Sequence, residues 1–195
     1  HVDSRGVTLG LPPLSLNGQV ESANGAPAAP ATFSLSVTNE QGRQQATLQL
    51  QNLPLAAAEP WLRIEMPGAT LRGTLFGQGT AAWMASAANP LSEGSTSGTL
   101  TLQSIELAAP ALDGDIVRLS RAELPWRLTS QPSGIKIEDL QLQCDVGRIA
   151  ARGTLDPEFT NIAARHDVEF QGEVDLAPLA AMLPHLLHIR GDTKI

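Results

Sequence analysis

Apolar and polar residues alternate with a period of two along most of this chain, the pattern of strands with one face buried and one in water. Phe33, Leu35 and Val37 fall on one face, with Thr32, Ser34, Ser36 and Thr38 between them. Ala46, Leu48 and Leu50 repeat the pattern against Thr47 and Gln49. The turn-forming run Asn39-Glu40-Gln41-Gly42 separates the two, which predicts a hairpin. Leu100 and Leu102 alternate with Thr99, Thr101 and Gln103, then the phase slips and resumes at Ile105 and Leu107. A second slip separates Ile135 and Ile137 from Leu140 and Leu142. A one-residue slip exchanges the faces of a strand, so a β-bulge or bend is expected at each. Residues 135–155 read as strand almost throughout, with Gly147-Arg148 as the turn and 149–155 as the return strand. Val168, Phe170 and Val174 predict another strand, interrupted at Gly172.

Two segments read as short helices. Residues 55–64 carry apolar side chains at helical spacing, with Pro54 before them and Pro67-Gly68 after. Residues 176–187 follow Asp175, a good N-cap, and hold Pro178 in the first turn. Pro60 and Pro184 lie inside these runs and should shorten or kink each helix. The segments also resemble one another: Leu55-Ala56-Ala57-Ala58-Glu59-Pro60-Trp61-Leu62 returns as Leu179-Ala180-Ala181-Met182-Leu183-Pro184-His185-Leu186. Leu71-Arg72-Gly73 and Ile189-Arg190-Gly191 follow them, which suggests repeated construction. Residues 23–30, rich in Ala, Pro and Gly, and 89–98, with Glu93-Gly94-Ser95-Thr96-Ser97-Gly98, read as flexible linkers. The whole chain, 1–195, is expected to be a single β-rich domain. Its fold class is mainly β: an elongated, curved antiparallel sheet, either an open groove or sandwich-like, with two short helical insertions. From the alternation alone, an ordinary sandwich core is favoured over a groove.

Composition narrows the function classes. A net charge of −7 with no basic cluster disfavours nucleic acid and anionic lipid headgroups, which both need a cationic footprint. Aromatics are scarce, with four Phe, three Trp and no Tyr, so the apolar positions are chiefly aliphatic. Only Trp61, Trp83 and Trp126 are available as platforms for carbohydrate. The single cysteine, Cys144, excludes an internal disulfide. In phase with Leu140 and Leu142, and without a cationic neighbour to favour its thiolate, it reads as a small apolar side chain. The chain starts at His1 and ends on Asp192-Thr193-Lys194-Ile195, which reads as a strand beginning, so a piece of a longer protein is expected, with any membrane anchor outside it.

Candidate chemistry is thin. His185 and His188, three apart on the second helical run, share a face, but no further ligand accompanies them and interfacial histidines are the preferred reading. His166 and Asp167 point to opposite faces if they lie on a strand, and no Gly-x-Ser-x-Gly elbow supplies a nucleophile. Asp113-Gly114-Asp115 holds a fragment of a calcium loop and reads as a turn. Arg190-Gly191-Asp192 is a tripeptide that arises easily by chance. A non-enzyme without cofactor or metal is expected.

Longer motifs carry a resemblance. Leu53-Pro54-Leu55, the Ala-rich helix and Pro67-Gly68-Ala69-Thr70-Leu71-Arg72-Gly73-Thr74-Leu75 form one; Ile137-Glu138-Asp139-Leu140-Gln141-Leu142 leading through Gly147-Arg148-Ile149 to Arg152-Gly153-Thr154-Leu155 forms another. Together they resemble the AsmA/TamB superfamily of bacterial envelope proteins, in which strands ending in Gly-x-Leu recur after short helices of this kind. The resemblance covers about half the chain. It implies a curved antiparallel sheet with an apolar inner groove, and a protein anchored in the inner membrane that projects into the periplasm. It further implies phospholipid transport or outer-membrane biogenesis, and no catalytic residues. On that reading the partners are phospholipid or another acyl lipid and other envelope proteins, and Leu48, Leu50, Leu100, Leu102, Leu140 and Leu142 are the candidate lipid-binding groove. The competing expectations are a structural or adhesive β-sandwich module of a large surface protein, and a scaffold whose open strand edge templates a client.

Overall fold

The computed structural model describes residues 14–20, 30–40, 42–84, 93–131, 133–156 and 166–186. They form one nine-stranded sheet in which every strand pairs with its neighbours in sequence. The strands are β1 (Leu14–Val20), β2 (Ala31–Glu40), β3 (Arg43–Pro54), β4 (Thr70–Met84), β5 (Gly94–Ala108), β6 (Ile116–Gln131), β7 (Gly134–Cys144), β8 (Gly147–Leu155) and β9 (Asp167–Val174). All eight pairings are antiparallel. The sheet is open: β1 pairs with β2 and β9 with β8, and no other described strand meets either. The sandwich expectation fails here, because the strands that would have formed a second sheet extend the first one.

The predicted slips in phase are bulges. Ser104 takes a left-handed φ of 52° in β5, where the alternation breaks. The β7–β8 pairing shifts between Ile137 and Leu140, as the sequence phase does. Further shifts fall at Leu50/Leu53, Arg72/Thr74 and Arg127/Leu128. Each bulge bends its strand and adds right-handed twist, so a long sheet coils and does not lie flat. The recurring Arg-Gly-Thr-Leu motif marks two of these places. Gly73 and Gly153 have φ of 124° and 141°, in the range that side chains avoid. A Cβ on Gly73 would sit 2.8 Å from the Gln103 carbonyl oxygen, and one on Gly153 would sit 2.0 Å from that of Asp167. The motif is thus a bulge device, with glycine where the neighbouring backbone comes too close for any side chain.

The connections at one end of the sheet carry the helices. A 3-10 turn, Leu55–Ala58, runs into α1 (Glu59–Glu65), and α2 (Leu176–Met182) follows β9. Pro60 stands in the first turn of α1, where its missing N–H is no loss, and so divides the expected single helix into a 3-10 and an α part. Leu55 is buried on Ile105 and Ala122, with Leu71, Leu75, Leu102, Leu119 and Cys144 around them. That cluster is a local core at the helix-bearing end. Burial of a leucine contributes about 1.5–3 kcal/mol, against at most about 1 kcal/mol for an exposed ion pair such as Glu59–Arg63. Leu55 therefore anchors this connection, and Glu59 orients it: its carboxylate accepts from the Leu71 amide at 3.0 Å and from Arg63 at 2.7 Å.

Four local expectations need correction. Gly94–Gly98 is the start of β5, paired with β4 and β6, because Gly98 fits beneath the Trp126 ring. Gly147-Arg148 opens β8, and the turn is Asp145-Val146, whose aspartate folds back on Ser120. Gly172 does not interrupt β9, since it pairs with Ile149, which leans into the space. The second helix ends at Met182, before Pro184, so the two near-repeats differ: Leu55-Ala-Ala-Ala is 3-10, while Leu179-Ala-Ala-Met is α. Residues 23–29 of the linker expected at 23–30, residues 89–92 of the one expected at 89–98 and the second Ile-Arg-Gly lie outside the described residues.

Gly73→Ala and Gly153→Ala should each destabilise the fold by about 1–3 kcal/mol, the usual cost of a side chain at such a backbone conformation. Urea denaturation measures it; Gly42→Ala, with a φ of 84° and open space around its Cβ, should cost less.

Candidate functional site

Antiparallel partners share a face, so the registers identify which side chains stand together across the sheet. One row runs Leu16, Leu35, Leu48, Gly79, Gly98, Trp126, Leu140, Ala151, Phe170, one residue from each strand. A second runs Phe33, Leu50, Gly77, Leu100, Leu124. A third runs Leu53, Leu75, Leu102, Ala122, Cys144, Gly147, Val174. None of these positions holds an acid or a base. The opposite face is polar, as in the row Asn17, Ser34, Gln49, Gln78, Thr99 and the row Ser36, Thr47, Thr80, Ser97, Arg127, Asp139.

All six candidate leucines lie on the apolar face. Leu48 and Leu140 share the first row, Leu50 and Leu100 flank Gly77, and Leu142 pairs with Ile149. Leu102 is different in kind: it packs on the Leu55 core and is committed to it. Away from that core the face is only half-buried, and Leu16 (48 %), Leu142 (39 %), Ile149 (45 %) and Phe170 (71 %) are exposed. The alternation pointed to the leucines; Trp126, Phe33, Ile149 and Phe170 join them only through register.

Trp126 shapes the middle of this face. Its ring lies over Gly98 and Gly79, where a Cβ on either would approach Trp126 carbons within 3 Å. Its Nε1 donates to Thr96 Oγ1 at 3.2 Å, so the one polar atom of the indole is satisfied within the sheet. The Phe33 ring covers Gly18 in the same manner. Glycines on an apolar face thus let aromatic rings lie flat across neighbouring strands, giving a smooth aliphatic and aromatic surface.

The polar candidates have other duties. His185 lies in the turn after α2, off the helix, and His188 is outside the described residues. The His185 ring Nδ1 is 2.6 Å from Asp115 Oδ1, and the amides of His185 and Leu186 donate to Asp115 Oδ2 at 2.9 and 3.0 Å. Asp115, of the Asp-Gly-Asp turn, is therefore a buried clamp that holds the end of α2 beside β6. Sequence reasoning missed it, since the partners are 70 residues apart. His166 Nδ1 accepts from the Asp156 amide at 3.3 Å. Among the described residues no group of three metal-ligating side chains comes together, and no helix is long and apolar enough to cross a membrane.

Two carboxyls are shifted. Burial raises Asp115, but the hydrogen bonds from the Leu186 amide and from His185 outweigh it and hold it below the usual 3.8. The Ser120 amide and hydroxyl hold Asp145 below 3.8 as well. Both therefore bind fewer protons folded than unfolded, and the stability they contribute is present above 3.8 and lost as pH falls through their lowered folded values. The urea midpoint should drop between pH 5 and pH 2, and the drop should be smaller in the Asp115→Asn/Asp145→Asn double variant.

No family model, curated protein or solved structure matches the chain.

Proposed function

We propose that this chain is a non-catalytic segment of a cell-envelope protein whose apolar face carries the acyl chains of phospholipid, for lipid transport or outer-membrane biogenesis. The observation that supports it is an uncharged apolar face spanning nine strands, over which no described strand lies as a second layer. At about 4.8 Å between strands, the rows cross roughly 38 Å, comparable with the roughly 30 Å of a bilayer's hydrocarbon. Burial of each methylene is worth about 0.8 kcal/mol, so some ten methylenes against this face gain about 8 kcal/mol, enough to offset a moderate cost of association. The absence of Asp, Glu, Lys, Arg and His from the rows suits hydrocarbon and leaves headgroups in water. The resemblance to the AsmA/TamB superfamily supports the same reading and supplies its setting, the periplasm, with an inner-membrane anchor in the full-length protein and other envelope proteins as partners.

Native mass spectrometry of the purified chain, with lipid extraction from the same sample, tests the proposal. Bound phospholipid at defined stoichiometry is expected. Leu48→Asp and Leu142→Asp should lose it and keep the wild-type circular dichroism, because Leu48 is half-buried and Leu142 is 39 % exposed. Leu102→Asp should instead unfold the chain, as it places a charge in the Leu55 core. A lipid-free chain that also refuses a fluorescent acyl probe would overturn the reading.

A further inference from the structure

The last strand of the sheet is the barest. Seven of the eight residues of β9 are exposed, with only Val168 half-buried. Its apolar side chains continue the apolar face to its limit, yet Phe170 is 71 % and Val174 50 % exposed. Its register with β8 is unbroken from Gly147↔Val174 to Thr154↔Asp167, and it contains no proline. Natural sheets usually blunt such an edge with a bulge, a proline or an inward charge. Here the charges stand on the polar face instead: Asp167, Glu169 and Glu173.

Those acids make the edge selective. If β9 paired antiparallel with β9 of a second copy, centred on Gln171, Glu169 would face Glu173, a like-charge pairing that destabilises a sheet. The neighbour that β9 already has shows what it accepts. Strand β8 presents Arg148 opposite Glu173 and Arg152 opposite Glu169 on the polar face, with Ile149 and Ala151 on the apolar one. The Arg148–Glu173 pair is 3.1 Å, while the Glu173 side chain keeps 76 % of its exposure. The carboxylates thus have ample solvated surface left for a second basic neighbour.

We propose that the outer edge of β9 is a strand-addition site for an extended protein segment that alternates apolar and basic side chains. Backbone hydrogen bonds supply the attachment. The basic residues meet Glu169 and Glu173, and the apolar ones cover Phe170 and Val174 and lengthen the apolar face. The site is separate from the acyl-chain reading and stands without it.

The test uses a peptide with the sequence of residues 147–155 of this chain, and the same peptide carrying Arg148→Glu and Arg152→Glu. The arginine peptide should protect from hydrogen exchange those β9 amides that point away from β8, and its binding should weaken with salt. The glutamate peptide should bind at least tenfold more weakly. Glu169→Gln/Glu173→Gln in the protein, which keeps side-chain shape, should cost the arginine peptide a similar factor and remove the salt dependence while exchange elsewhere is unchanged. Equal binding of both peptides, protection confined to the inward amides through exchange with the chain's own β8, no protection at all, or self-association through β9 would each overturn the proposal.

Discussion

The constraint on which this structure depends is that the side chains of eight successive antiparallel pairings stay in phase. A sheet has two faces and a strand a period of two, so one unmatched slip would move every later apolar residue to the polar side. The chain has several slips and keeps a single apolar face, because each is absorbed by a bulge. Ser104 adopts a left-handed conformation in β5, and Ile105 and Leu119 still meet Ala122 and Leu55 in one cluster. Gly73 and Gly153 perform the same correction beside their neighbours. The bulges are therefore what makes a long meander amphipathic from end to end.

Such a sheet leaves an energetic question that an ordinary domain does not. A sandwich covers its apolar face with another sheet; among the described residues this one has only the connection through Leu55 at one end. Fewer than a dozen described apolar residues are truly buried, and the large ones on the strands are Val37, Ile105 and Ile137. The fold must then rely on its continuous backbone ladder and on lateral contact between side chains of adjacent strands. Glycines beneath Trp126 and Phe33 increase that lateral contact, since a ring lying flat over a glycine touches two strands at once. The arrangement stabilises the sheet from within its own plane and leaves its apolar side available.

What was legible in the sequence follows from this. The alternation announced β2, β3, β5 from Thr99 on, β7, β8 and β9, the hairpin at 39–42 and both main slips, because these depend on neighbours in sequence; β1, β4 and β6 were not announced. The six candidate leucines came out on one face for the same reason. The choice between open sheet and sandwich was not legible, since both use identical alternation and differ only in which strands pair. Gly94–Gly98 was misread because small polar residues mark both flexible linkers and strands lying under a large ring. Asp115 was invisible as a clamp: a buried carboxylate needs its donors, and the amides of His185 and Leu186 arrive from the far end of the chain.

The clamp also explains why α2 stays where it is. That helix has no buried residue of its own, and Leu176 is 61 % exposed, so apolar burial cannot hold it. Asp175 caps its start by accepting from the Ala177 amide, and the Asp175 amide itself donates to the Val146 carbonyl at the β7–β8 turn. Asp115 then takes the two amides beyond its end, with Leu183 buried between. The N-cap and two polar attachments, one to the β7–β8 turn and one to the β5–β6 connection, do what a hydrophobic stripe does for a conventional helix. Because they are directional, they position α2 beside β6 without covering the apolar rows, and the open face survives the presence of a helix that could otherwise have closed it.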